Sequence, residues 1–260
     1  MRNTVASLVA DSLIANGIEN LYCVPGVQND NFFNAVFDRQ QALKPVQTRH
    51  EQGAVYMALG AALATGKPQA FAIVPGPGFL NGCAALCTAY ALNAPLFGVI
   101  GQIPSGAIGK GLGLLHEIEG QLETLQSLTK HADRIISGAD AVGQMESAWQ
   151  SLYSGRPRPV AIEVPVNVWL NDTDYNAVAL KVPGPKPAPV DTTQISKAVK
   201  LIVAAKNPLI AIGTGAQNHS ALVRELSNKT GAAVMAFRTG HGVMDSTDPL
   251  SISMPVAHKL

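Results

Sequence analysis

Charge is scarce in this sequence and nowhere concentrated. Only 14% of the 260 residues are charged, nineteen basic against eighteen acidic, and no run of like charges interrupts the chain. A formal net charge of +1 without a basic stripe argues against a nucleic-acid groove or an anionic membrane surface, and leaves small neutral or acidic molecules as the expected ligands. No apolar run reaches the length of a membrane span, and polar residues break up the first eleven positions too early for a signal-peptide core, so a cytoplasmic protein is expected. Cysteine is equally sparse. Cys23, Cys83 and Cys87 are an odd number and build no disulfide framework. Cys83 and Cys87 stand four apart, but no further Cys or His completes a metal pattern, so the pair reads as small buried hydrophobes.

Several catalytic signatures are missing too. The six histidines form no H-E-x-x-H and none lies at a metal spacing from another, no G-x-S-x-G elbow occurs, and no Gly-Lys-Ser/Thr marks a P-loop. No metal ligand is therefore assigned.

What is present is a repeated alternation of apolar segments. The chain is 47% apolar, enough for a sizeable core. Val5, Leu8, Val9, Ser12 and Leu13 follow helical spacing, Asn16-Gly17 stops that helix, and Leu21-Tyr22-Cys23-Val24 reads as a strand. Further strands are expected at Pro45 to Thr48, Ala70 to Val74, Leu96 to Ile100, Arg134 to Ile136 and Val160 to Val164. Helices are expected at Asn31 to Phe37, Gln52 to Ala64, the segment after Gly78, Glu117 to Leu128 and Asp140 to Tyr153. The runs are continuously apolar rather than alternating, the mark of strands covered on both faces. The expected fold is α/β, a three-layer, mostly parallel sheet with helices on both faces. Gln102 to Leu115, dense in glycine, reads as a long surface loop.

Composition then shifts. Pro183 to Pro189 reads as a semi-rigid linker, after which the pattern restarts with helix Thr192 to Ala205, strand Leu209 to Ile212, helix Ser220 to Lys229 and strand Ala232 to Ala236. The expected organisation is a first domain over 1–171, a Pro-rich linker over 172–190, and an incomplete domain over 191–260, since about two strands bury too little surface for a domain. Gly213-Thr214-Gly215-Ala216 stands where a dinucleotide fingerprint belongs, but Asn218 replaces its third glycine and a tight turn is the better reading. A stand-alone nucleotide-binding module would have to rest on that segment.

The stretch most suggestive of chemistry is Arg49-His50-Glu51-Gln52-Gly53, set before the apolar run Ala54 to Ala64. As a helix-start charge Glu51 would gain roughly 0.3–1 kcal/mol from the macrodipole. Pro75-Gly76-Pro77-Gly78 is either a plain strand-to-helix turn or a backbone that lets a ligand approach closely. His116-Glu117-Ile118-Glu119 reads as a solvated helix start near enough to approach a ligand.

Arg49 to Ala54, Pro75 to Gly78 with Asn81, Asn93 to Leu96 leading to Gly101-Gln102-Ile103-Pro104, and Arg158 to Pro165 together resemble the N-terminal half of thiamine-diphosphate-dependent enzymes of the acetolactate synthase family. The four motifs follow that family's order and spacing. Gly213 to Ala216 and Thr230 to Val234 also fit its central domain. The resemblance implies a thiamine-diphosphate-binding fold followed by a partial Rossmann-like central domain. It implies that Glu51 is catalytic, meeting N1′ of the cofactor's aminopyrimidine, and that the substrate is a small 2-oxo acid. Pro25, Gly26, Pro75, Gly76, Gly78 and Asn81 would flank the pyrimidine, and Gln102 would point toward cofactor or substrate. Val27, Val74 and Pro75 depart from residues of some decarboxylases, which leaves the substrate open. The family's Gly-Asp-Gly and Asn-Asn motifs, which carry Mg²⁺ and the diphosphate, do not occur here together in a third domain, and no Gly-Asp-Gly occurs at all. The expected partner is a second copy in a homodimer or a chain bearing the diphosphate-binding domain. FAD at the central region, as in some relatives, stays open. The contrasting expectation is a non-catalytic dimerising partner that regulates a full-length relative.

Overall fold

The computed structural model describes residues 3–184 and 189–253, in two compact units that divide after Lys186. Residues 185–188 of the Pro-rich segment lie outside the described residues.

The first unit is built on six strands: β1 (Asn20–Cys23), β2 (Lys44–Gln47), β3 (Gln69–Ile73), β4 (Leu96–Gln102), β5 (His131–Arg134) and β6 (Val160–Pro165). They lie in the order β2-β1-β3-β4-β6-β5, every neighbour parallel. Helices α1 (Val5–Ala15), α2 (Asp30–Phe37), α3 (Glu51–Thr65), α4 (Pro77–Ala91), α5 (Gln121–Leu128) and α6 (Gly138–Tyr153) connect them.

Two separate cores show how the layers form. Ala70, Ala72, Phe97, Val99, Val160, Ile162 and Val164 pack with α1, α2 and α6 on one face. Phe71, Ile73, Leu96, Ile100 and Ala161 pack with α3, α4 and α5 on the other. The two-residue period of each strand sorts side chains between these faces, so continuous apolar runs follow from coverage on both sides. The same period turns Gln102 and Glu163 toward the α3–α4–α5 face.

Most boundaries move by one or two residues from the sequence reading, and three differences bear on the site. β5 comprises His131–Arg134 rather than Arg134 to Ile136, because an edge strand tolerates polar residues while Ile135 is buried beyond its end. The helix expected from Glu117 begins only at Gln121, behind a left-handed Gly120. Gln102 is no loop residue but the buried last residue of β4.

The second unit holds β7 (Leu209–Ile212), β8 (Ala233–Ala236) and β9 (Ser251–Ser253) in one parallel sheet, with α7 (Thr192–Ala204) and α8 (Ser220–Thr230). The third strand corrects the expected two; its short Ser-Ile-Ser carries almost no apolar signal. This Rossmann-like arrangement is partial: α7 has no buried residue, and the unit's core is Ile212, Val234, Val243 and Met244. Gly213 to Ala216 forms a tight turn ahead of α8, and Gln217 from that turn donates to the carbonyls of Thr239 and His241.

Among the described residues no helix is long and apolar enough to cross a membrane. Cys23 is buried and Cys83 partly buried, and burial pushes both thiols up to about 11, helped at Cys83 by nearby Cys87. Cys87 is exposed on α4, a correction to its reading as a buried hydrophobe.

Candidate functional site

Because all six strands of the first unit run parallel, the segments after β1, β2, β3 and β4 emerge at one edge of the sheet. Gly26 follows β1, Glu51 follows β2, Gly76 and Gly78 follow β3, and Gln102 closes β4.

Glu51 is the first residue of α3, half-buried. His50 caps the helix, its Nδ1 accepting the Gln52 amide at 3.2 Å. The helix start thus holds the acid where the macrodipole favours a negative charge. Asn81, in α4, donates from Nδ2 to Glu51 Oε2 at 2.9 Å. Oε1 accepts no hydrogen bond from the described residues and faces Gly78, where a Cβ would stand 3.3 Å away.

Val74 lies between two glycines. A Cβ on Gly26 would come within 2.5 Å of Val74 Cγ1, and a Cβ on Gly78 within 2.5 Å of its Cγ2. Gly26, Val74, Gly78, Glu51 and Asn81 therefore form one cluster. Gly76, cap of α4, has φ +59° and ψ −123°, a conformation that favours glycine. Pro77 follows at the first helical position, where its missing N–H costs nothing.

Pro75 and Gln102 are placed elsewhere. A Cβ on Gly101 would lie 2.9 Å from Pro75 Cδ, so Pro75 is packed on β4. Gln102 is 2% exposed, donates to Glu163 Oε1 at 3.0 Å, and accepts the Ile103 amide at 2.7 Å. Its amide is spent inside the protein rather than at the Glu51 cluster. Pro25 is exposed and helps line a cavity of about 240 Å³ with Cys23, Phe33, Phe37 and Pro45.

A buried polar network escaped the sequence reading. Glu163, 0% exposed, accepts from Gln102, from Gln121 Nε2 at 2.7 Å, and from Arg134 in an ion pair. A carboxylate inside the apolar run Val160 to Val164 was a usable signal, because a buried charge needs partners. His116, at the end of the glycine-dense loop, has φ +71° and a buried Nδ1 with no hydrogen-bond partner among the described residues. Among the described residues, no group of three or more His, Cys, Asp or Glu side chains could hold a metal ion.

An all-parallel sheet covered on both faces, with polar groups gathered beyond the carboxyl ends of its strands, belongs to the α/β class that binds ligands at that edge. Residues 3–128 match the family described as "Thiamine pyrophosphate enzyme, N-terminal TPP binding domain", and residues 195–259 match "Thiamine pyrophosphate enzyme, central domain". The chain belongs to the thiamine pyrophosphate enzyme family, on its acetolactate-synthase-like branch. It is 31% identical to an acetolactate synthase of Arthrospira platensis, over 97% of this chain and 45% of that protein. It is 30% identical to a chloroplastic acetolactate synthase of Arabidopsis thaliana, over 97% and 38% respectively. A probable 2-ketoarginine decarboxylase of Pseudomonas aeruginosa is also 30% identical, over 92% and 43%. The chain thus spans less than half the length of these relatives.

Proposed function

We propose that this chain supplies the aminopyrimidine-binding half of a thiamine-diphosphate-dependent enzyme that acts on a 2-oxo acid, by acetolactate-synthase-like decarboxylation and carboligation. The observation that carries the reading is the Glu51 carboxyl, fixed through Oε2 by Asn81 while Oε1 is left without a partner from the described residues. That donor set fits a ring nitrogen. When bound, thiamine diphosphate supplies the carbon nucleophile and the electron sink that decarboxylation requires. Glu51 holds a proton shared with N1′ of the pyrimidine, and Asn81 orients the carboxyl for that exchange. Gly26 and Gly78 make room for Val74, and Gly76 for the His116 backbone, which sets the turns around the ring, with Pro25 and Pro75 stiffening those turns. Gln102, turned inward to Glu163 and the Ile103 amide, is given no part at the ring. Mg²⁺ and the diphosphate belong to Gly-Asp-Gly and Asn-Asn motifs supplied by another polypeptide segment, and FAD has no assigned residue.

The partner is read from the surface beside Glu51. Tyr56, Met57 and Leu63 of α3 and Leu80 of α4 are large apolar side chains left at least 41% exposed. A helix apolar on all sides is ordinarily covered on all sides. A second copy of the chain, or a chain bearing the diphosphate-binding domain, would cover this face and complete the site. The same patch, which needs no catalytic acid, favours as a second reading a non-catalytic dimerising partner that regulates a full-length relative.

Mixing the chain with a polypeptide carrying the Gly-Asp-Gly and Asn-Asn motifs, in the presence of thiamine diphosphate and Mg²⁺, separates the two. Consumption of a 2-oxo acid above the sum of the separate components is expected. A mixture that merely changes the activity of an already competent relative, unaffected by the state of Glu51, would support the regulatory reading instead.

A further inference from the structure

Gly76 begins the helix that carries Asn81, and it is held from two sides. A Cβ there would stand 2.5 Å from the carbonyl oxygen of His116, so the end of the glycine-dense loop lies directly on it. From the other side, Gln121 Oε1 accepts the Gly76 N–H at 2.8 Å. The other end of the same amide donates from Nε2 to the Gly101 carbonyl at 3.0 Å and to Glu163 Oε1 at 2.7 Å. Gln121 itself is 1% exposed.

The direction of this amide is dictated by charge. A carboxylate can only accept, so the NH₂ of Gln121 must face Glu163, which leaves Oε1 for Gly76. The Gly76 carbonyl in turn accepts the Leu80 amide at 2.9 Å, the first helical bond of α4. Asn81 follows immediately and reaches Glu51.

We propose that Gln121 is a positioning residue for the cofactor half-site. By fixing the Gly76 turn against β4 and Glu163, it sets the first turn of α4 and hence the hydrogen bond from Asn81 to Glu51. The proposal rests on the reading of Glu51 as the cofactor-facing acid. A purely structural role, satisfying a buried carboxylate, makes a different prediction. Gln102 supplies the comparison, since it donates to the same Glu163 oxygen at 3.0 Å but contacts the Ile103 amide and not Gly76.

The test is amide hydrogen exchange by NMR on the whole chain, without cofactor, for the wild type, Gln121→Met and Gln102→Met. Protection at the Gly76 amide, relative to Phe71 and Ala72 in β3, is expected to fall about tenfold or more in Gln121→Met, and the Asn81 side-chain amide resonances to shift. Gln102→Met should leave both features near wild type even if it unfolds at a lower temperature. Unchanged relative protection in Gln121→Met, or an equal loss in both variants, would overturn the proposal. If Gln121→Met is too unstable to measure, the comparison moves to a Glu163→Met background, where no carboxylate needs donors. There Gln121 should still protect Gly76 and methionine should not. A reconstituted mixture without activity would defeat the functional reading while leaving this exchange result standing.

Discussion

Glu51→Gln is expected to slow 2-oxo acid turnover in the reconstituted mixture by about 10²–10⁴-fold, the usual contribution of a positioned general acid–base. Glutamine keeps the size of the side chain and an oxygen able to accept the Asn81 hydrogen bond, but it cannot exchange a proton with a ring nitrogen. The structural cost is small by comparison. Removing a negative charge from the start of α3 costs about 0.3–1 kcal/mol, a shift of a few degrees in thermal midpoint at most. The two roles of Glu51 therefore separate cleanly. A variant that keeps its rate would remove Glu51 from the chemistry, whereas a variant that loses rate only as far as it unfolds would reduce it to a helix-start charge.

Arg134→Met has the largest expected effect on stability. Glu163 is 0% exposed, and Arg134 is its one cationic partner among the described residues. Without it, two neutral amides from Gln102 and Gln121 remain for a buried carboxylate. Breaking such a pair from one side costs about 3–5 kcal/mol, here toward the lower end because the Arg134 side chain is 22% exposed. About 3 kcal/mol corresponds to a lowering of the thermal midpoint by roughly 6–12 °C for a unit of this size. Combining Arg134→Met with Glu163→Gln should recover most of that loss, since no charge is then stranded. Equal losses in the single and double variants would place the cost in packing by the arginine stem instead.

The layers of the first unit were legible because burial on both faces of a parallel sheet leaves continuous apolar strands such as Ala70 to Val74. Ends were less legible where polarity and structure part company. Arg134 closes β5 while reaching Glu163, and the apolar Ile135 and Ile136 beyond it draw a periodicity reading two residues too far. β9 offered only Ile252 between two serines. At the site, Glu51 was visible as an acid before an apolar run. Its partner was visible only through the family motif, because Asn81 is thirty residues away. Gln102 carried a motif position but was read as the start of a loop, which hid the strand period that turns it toward Glu163. Gln121 stood in a stretch read only as a helix, with nothing to single it out. Its role follows from three contacts, to Gly76, Gly101 and Glu163, each at least twenty residues distant.

The central claim is that Glu51, Asn81 and the glycines around Val74 face an aminopyrimidine. The most direct measurement is NMR titration of the chain alone with 4-amino-5-hydroxymethyl-2-methylpyrimidine, the cofactor's ring without its diphosphate. The account predicts weak saturable binding, with shifts at the Gly26 and Gly78 amides and the Asn81 side chain that disappear in Glu51→Gln. Shifts confined to other parts of the chain, or a response unchanged by Glu51→Gln, would contradict it.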